Sequence, residues 1–204
     1  MRKVLSISSL LVLVLFIFLQ GCSSMKGIKG TEELVETSGK KPKMVANNIW
    51  SEDEKDAKYF LGFSAEAHDQ DVALRVAELE GRKHIIEAIG MDIRVEGTRG
   101  LSGPEKESVG RFFEEATSWL TDNMRLSGAI LQETYWEKWA RMGDSRVSYF
   151  YKAYGIVRIS KEDYTRAMSA AADSLIGQAA QDRNIAAERA ARGAKQRLLE
   201  GAAR

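Results

Sequence analysis

Few side chains in this chain have types and spacing suited to chemistry: two histidines, His68 and His84, one cysteine, Cys22, and a dense set of aromatic residues between positions 135 and 154. His68 stands beside Asp69 and Asp71, a grouping that could hold a metal ion at the end of a strand. Acidic residues just before a helix are, however, what helix capping and the positive end of the helix dipole favour, so no metal ligand is assigned. His84 follows Glu80 by four residues and precedes Glu87 by three, which could form an acid–base pair, but an ordinary half-exposed helical histidine has the same neighbours. The sequence carries no His-Glu-x-x-His, no second cysteine and no nucleophile elbow, which excludes zinc-protease and cysteine-enzyme chemistry. Gly97, Gly100 and Gly103 are followed by no Gly-Lys-Ser or Gly-Lys-Thr and are turn residues rather than a phosphate loop. No catalytic residue, cofactor or metal is therefore expected. The aromatic set Tyr135, Trp136, Trp139, Tyr149, Phe150, Tyr151 and Tyr154 alternates along two predicted strands, so part of it must point away from the core face. Exposed Trp and Tyr are typical interface anchors, and these seven residues form the candidate interaction surface. The alternative is that the first or last helix covers them, or that they serve only as cross-strand pairs.

The elements that must position these groups belong to a chain of 204 residues, 44% hydrophobic and 29% charged, with 30 basic against 29 acidic side chains. That composition excludes a disordered tail protein, a collagen-like fibre and a polytopic membrane protein. A net charge of +1 leaves no electrostatic footprint for nucleic acid. One cysteine permits neither an intramolecular disulfide nor a cysteine zinc cluster.

Arg2 and Lys3 precede an apolar run from Val4 to Leu19 broken only by Ser6, Ser8 and Ser9, which reads as an export signal. The run ends in Leu19-Gln20-Gly21-Cys22, which resembles the lipobox of bacterial lipoproteins, with Gln20 where a small residue is usual. In that pattern the Cys22 thiol takes a diacylglycerol, a peptidase removes residues 1–21, and the new amino terminus takes a further acyl chain such as palmitate. Three acyl chains exceed what stable attachment needs, so the mature protein would be anchored to a bilayer without spanning it. Cleavage takes Arg2 and Lys3 away, so 30 basic residues become 28 against 29 acidic ones. Ser23 and Ser24 stand where an Asp would retain a lipoprotein in the inner membrane, which favours the outer membrane with the domain facing the periplasm.

Residues 22–48, with Gly27, Gly30, Gly39, Pro42 and five lysines, read as a lipidated cysteine and flexible tether. An α+β domain is expected over 49–168. Tyr59, Leu61, Phe63, Ala65 and Ala67 alternate as a first strand with one buried face, and Asp69 or Asp71 caps a helix to Ile89 that Gly90 ends. Within it Ala73, Ala77, Gly81 and Ile85 recur every fourth position beside Val76, Ala88 and Ile89, and the small residues of that stripe let the helix approach a sheet closely. Met91–Glu96 reads as a short strand. Pro104 opens a second helix whose stripe is Val109, Phe112, Phe113, Ala116, Trp119, Leu120 and Met124. Residues 129–139 and 146–159 form a β-hairpin around Met142-Gly143-Asp144-Ser145. Ser160, with Asp163 three residues on, caps a last helix that continues unbroken toward the C-terminus. Its part over 169–204 is an alanine-rich tail, with six basic and three acidic residues after Gln181 and few large side chains to bury. The tail is expected to pair with another helix, lie on an anionic surface or extend into solvent.

The lipobox-like start, the strand with a central glycine, the Ala-x-x-x-Ala-x-x-x-Gly-Arg helix, the aromatic hairpin and the Ser-Lys-Glu-Asp-Tyr helix start together resemble small bacterial outer-membrane lipoproteins of the Lpp-twenty type, over about residues 58–168. Relatives of that family include lipoproteins associated with flagella. The resemblance implies an α+β envelope domain, a small antiparallel sheet packed by helices, with no catalytic residues to carry over. The expected function is a non-catalytic, membrane-anchored scaffold or adaptor with an envelope protein partner or with itself, for instance in a symmetric ring. The alternative is a binding module for a small apolar or peptidoglycan-derived ligand held between sheet and helices.

Overall fold

The computed structural model describes residues 30–143 and 146–202. Its elements run β1 (Glu32–Thr37), a single helical turn α1 (Lys43–Ala46), β2 (Ser51–Asp53), β3 (Ala57–Ala67), α2 (Gln70–Gly97), α3 (Gly103–Asn123), β4 (Ile130–Met142), β5 (Val147–Ser160), α4 (Lys161–Gln181) and α5 (Ile185–Ala202). The five strands form one antiparallel sheet in the order β1-β4-β5-β3-β2, and the fold is α+β. The hairpin of β4 and β5 pairs from Ile130 with Arg158 to Met142 with Val147, and β3 lies on its other side with Gly62 opposite Gly155.

That glycine pair decides how the layers meet. A Cβ built on Gly62 would overlap the Ala77 carbonyl oxygen and the Gly81 nitrogen of α2, and one on Gly155 would press on the backbone at Ala77 and Glu78. Two side-chain-free strand positions thus face the Ala73, Ala77, Gly81 stripe, and helix and sheet touch backbone to backbone. Farther along, α2 buries Ile85, Ile86, Ile89 and Ile93 against Phe60, Val157 and Ile159 of the sheet and Val109, Phe113, Ala116 and Leu120 of α3.

Several sequence-based expectations are corrected here. Gly90 does not end α2; the helix runs on to Gly97, and Gly90 and Gly97 lie under Thr117 and the Phe113 ring of α3, which a Cβ at either position would strike. Residues 91–96 are helical because Ile86, Ile89 and Ile93 share the α3-facing side at helical spacing. The N-terminal segment is folded from Gly30 on. Glu32–Thr37 pairs with β4 as the edge strand, and Met44, Val45 and Ile49 then lie across the outer face of the sheet on Leu61 and Ile156. A strand reading Glu-Glu-Leu-Val-Glu-Thr with little buried surface has no alternating apolar face, so periodicity could not reveal it. The side of β3 toward α2 is therefore Phe60, Gly62 and Ser64, not the expected face of Tyr59, Leu61, Phe63, Ala65 and Ala67. Of those five Leu61 alone is buried, under the N-terminal segment, while Ala65 is exposed.

The last helix is also two helices. Arg183 takes a left-handed conformation (φ 55°), and Asn184 caps α5 by accepting from the Ala187 N–H at 3.1 Å. The α5 helix folds back on α4, burying Ala187, Ala191 and Ala194 completely, with Lys195 on Asp173 (2.6 Å) and Arg197 on Glu96 (3.0 Å). Alanine offers little area per residue, but it lets helix axes come close, which is why a stretch so poor in large side chains packs as part of the domain. Ser160 caps α4 as expected, its hydroxyl accepting from Asp163 N–H at 3.0 Å, and Asp69 caps α2 through Val72 N–H.

Candidate interaction surface

Cross-strand register places the seven hairpin aromatics on two faces. Trp136 and Tyr151 are on the helix side, ring against ring at 5.8 Å and packed on Ala73, Ala77 and Ala153. Tyr149 follows on that same side beyond the helix, 50% exposed, with the Lys138 ammonium 5.2 Å from its ring centre. The outer face carries Tyr135 opposite Tyr154 and Trp139 opposite Phe150, with Phe63 of β3 5.0 Å from Tyr154. Tyr135 and Phe150 are buried, and Trp136, Trp139, Tyr151 and Tyr154 are half-buried, so Tyr149 is the one of the seven that stands in solvent. The cover on the outer face is the segment around Lys41 and Met44 rather than a first or last helix.

Between these rings lies Glu137, 4% exposed. Its carboxylate accepts from the Trp139 indole N–H at 3.0 Å and the Tyr135 hydroxyl at 3.3 Å, and it pairs with the Lys41 ammonium at 2.6 Å. A buried carboxylate is tolerable only with such partners, because desolvating an unmatched charge costs far more than any single contact returns. The hydrogen bond to Glu137 raises the Lys41 pKa above the ordinary lysine value, while burial, reinforced by the Glu137 charge, raises those of Tyr135 and Tyr154. Toward the hairpin tip Arg141 bridges Glu32 and Glu66, each at 2.6 Å, and lies over Phe150 with its guanidinium carbon 4.7 Å from the ring centre. Lys152 stands over Trp139 at 4.6 Å and reaches Glu32 at 3.4 Å. The Arg141 hydrogen bond holds the Glu32 carboxyl below its usual value.

The remaining chemical candidates separate. His68 is exposed, and its neighbour Asp69 is engaged as the helix cap. The Nδ1 of His84 lies 2.7 Å from the Leu61 carbonyl oxygen, which can only accept, so Nδ1 carries the proton; the ring meets Trp50 edge-on at 5.4 Å. Glu80 and Glu87 lie within ion-pair distance of Lys83, between them in sequence. Among the described residues no group of three or more His, Cys, Asp or Glu is placed to hold a metal ion. Cys22 lies outside the described residues, as do Asp144 and Ser145 of the hairpin turn. Lys41, Glu137, Arg141 and Lys152 were missed by sequence reasoning centred on the aromatics. A signal for Glu137 exists, since it shares the strand parity of Tyr135 and Trp139; Lys41 has none, because its segment shows no pattern.

Compared with protein-family models, curated proteins and solved structures, the chain matches none. What the geometry itself defines is an α+β domain with an aromatic sheet face clasped by its own N-terminal segment.

Proposed function

We propose that this protein is a membrane-anchored lipoprotein of the bacterial cell envelope, acylated on Cys22 and acting as a periplasm-facing scaffold or adaptor of the outer membrane. The anchor is supported by the export signal and the Leu19-Gln20-Gly21-Cys22 pattern that contains the only cysteine of the chain. The non-catalytic part is supported by one observation: among the described residues, Glu137, Asp69 and His84 are each engaged in holding the fold. Glu137 is matched by Lys41, Tyr135 and Trp139, Asp69 caps a helix, and His84 joins α2 to β3. The likeness to lipoproteins of the Lpp-twenty type points the same way. Two measurements test the proposal. Mass spectrometry of the mature chain finds Cys22 as the acylated first residue; an intact 1–21 segment with a bare thiol refutes the anchor. Cross-linking in native envelopes followed by capture of this protein yields a stoichiometric envelope partner or links between copies; the absence of both refutes the adaptor.

A second reading is favoured by a specific feature. The interface between sheet and α2 is closed by the contacts at Gly62 and Gly155, but an open cleft of about 330 Å³ lies between Trp50, Phe60, His84 and Met91. Its lining is largely apolar with Ser51, His84 and Glu87 as polar groups, a mixture that suits a small apolar ligand and leaves hydrogen-bonding groups for a peptidoglycan-derived one. Quenching or shift of Trp50 fluorescence by soluble peptidoglycan fragments, absent in Trp50→Phe, is the result that would support this reading over the first.

A further inference from the structure

We infer that the domain stands on the bilayer by its β4–β5 hairpin end, with Val147 and Tyr149 in the lipid interface and the α3–α4–α5 layer directed away from the membrane. The inference rests on acylation of Cys22, proposed above, and on where the fold begins.

The first described residue is hydrogen-bonded to the hairpin tip. Gly30 N–H donates to the Met142 carbonyl at 2.9 Å, and Met142 N–H returns a bond to Thr31 at 3.2 Å. Eight residue steps separate Cys22 from Gly30, and these reach at most about 29 Å when fully extended. A tether of the length expected from the sequence, ending near residue 48, would have let the domain present any side to the lipid. The tether that remains ends beside Met142, so the tip is the part of the domain held nearest the anchor. In the other direction β5 is 14 residues long and delivers the chain to α4 at Ser160, about 45 Å from Val147.

The described residues at the tip suit an interface. Val147 is 43% and Tyr149 50% exposed, and Leu34 and Val35 on the neighbouring edge strand are similarly open. Tyrosine with an apolar neighbour is the side-chain type that settles between headgroups and acyl chains. Lys138 and Arg146 on this end are offset by Glu33 and Glu36 of β1, so the contact is set by the tether and by apolar insertion rather than by attraction to anionic lipid. Tethering makes that insertion intramolecular, so two modest side chains are enough to bias orientation. The partner-facing surface of the protein is then its helical end and the cleft beside Trp50.

The test uses the full mature lipoprotein in phosphatidylcholine vesicles. Because Cys22 is a thioether once acylated, Tyr149→Cys provides the single reactive thiol for an environment-sensitive fluorophore. Val147→Cys is a second position, should the first variant fold poorly, and Ile185→Cys, 71% exposed at the start of α5, is the reference. The expected result is a blue-shifted label at 149 or 147, quenched severalfold more by shallow spin-labelled lipid than the label at 185, in neutral and anionic vesicles alike. Equal quenching at the tip and at 185, in protein that floats with the vesicles, overturns the orientation while leaving the anchor intact. Failure of the wild-type chain to float, with no acyl mass on Cys22, overturns the anchor and this inference with it.

Discussion

Replacing Gly62 by alanine adds one methyl group at the point where β3 and α2 touch through their backbones, and its effect can be worked out from what that methyl meets. Its Cβ would overlap the Ala77 carbonyl oxygen and the Gly81 nitrogen, neither of which can rotate away. Relief requires α2 to lift off the sheet, which loosens the packing of Ile85 and Ile89 on the same helix. Overpacking of this kind costs about 1–3 kcal/mol when side chains can yield, and more when they cannot, so about 3 kcal/mol or more is expected. In a domain of this size each kcal/mol moves Tm by about 2–4 °C, which puts Gly62→Ala about 6–12 °C below wild type. Gly81→Ala is the graded case, since its Cβ strikes Val157 Cγ2 at 2.6 Å, a side-chain atom rather than backbone, although a buried valine yields little. Gly177→Ala, exposed in α4 with nothing within 4 Å, should instead gain about 0.5–1 kcal/mol from helix propensity. Thermal unfolding followed by circular dichroism on the three variants tests the ranking. A Gly62→Ala protein as stable as wild type, or less affected than Gly81→Ala, would refute the close backbone contact.

Glu137→Ala removes the acceptor for Tyr135 and Trp139 and leaves Lys41 without its partner; a loss of about 1–3 kcal/mol in urea unfolding is expected, with Glu137→Gln losing less because an amide oxygen still accepts. Asn184→Ala deletes the cap between α4 and α5 and should cost about 1 kcal/mol, read as a lower urea midpoint. Glu32 and Asp53 have carboxyl pKa values depressed by Arg141 and Lys161 respectively, so their contribution is present above the unfolded carboxylate range and fades as pH falls through the lower folded values. Stability should therefore decline below about pH 4, and Lys161→Met should reduce that acid slope. Tyr164, buried with its hydroxyl donating to Asp92 at 2.9 Å, has a raised pKa, so its contribution is complete below about pH 10 and is lost above it. Tyr164→Phe should flatten part of the alkaline fall in Tm.

What could be read from the residues, and what could not, divides along physical lines. The hairpin, the Ser160 cap and most of the α3 stripe are local patterns of large apolar residues or capping side chains, and these were legible, although Trp119, expected on the buried face of α3, stands 44% exposed. The edge strand β1 was not, since its residues bury almost nothing and its existence depends on pairing with Trp139 and Arg141 a hundred residues away. The α4–α5 turn was hidden because Asp182, Arg183 and Asn184 include neither Gly nor Pro, and the left-handed position falls on an arginine. The aromatic cluster was visible as a set, but its division between an inner and an outer face requires the register, and the Lys41–Glu137 pair joins it to a segment that reads as tether.

The α2 helix shows why the search for a surface from apolar pattern alone misleads in this fold. Its inward side is Ala73, Ala77 and Gly81, chosen for smallness, while Val72, Val76, Leu79, Met91 and Val95 stand exposed on other sides. Amphipathicity is weak along the first half of the helix: the charged residues stay off the buried face, but so do Val72, Val76 and Leu79, and size selects what is buried. A rule that assigns large apolar residues to the core would turn this helix around, bury Leu79 and force the sheet several ångströms away, and the Gly62–Gly155 pair would then have no purpose. The two glycines, one on each of two adjacent strands, are the features that fix the helix orientation, and they do so through sterics that hydropathy does not register.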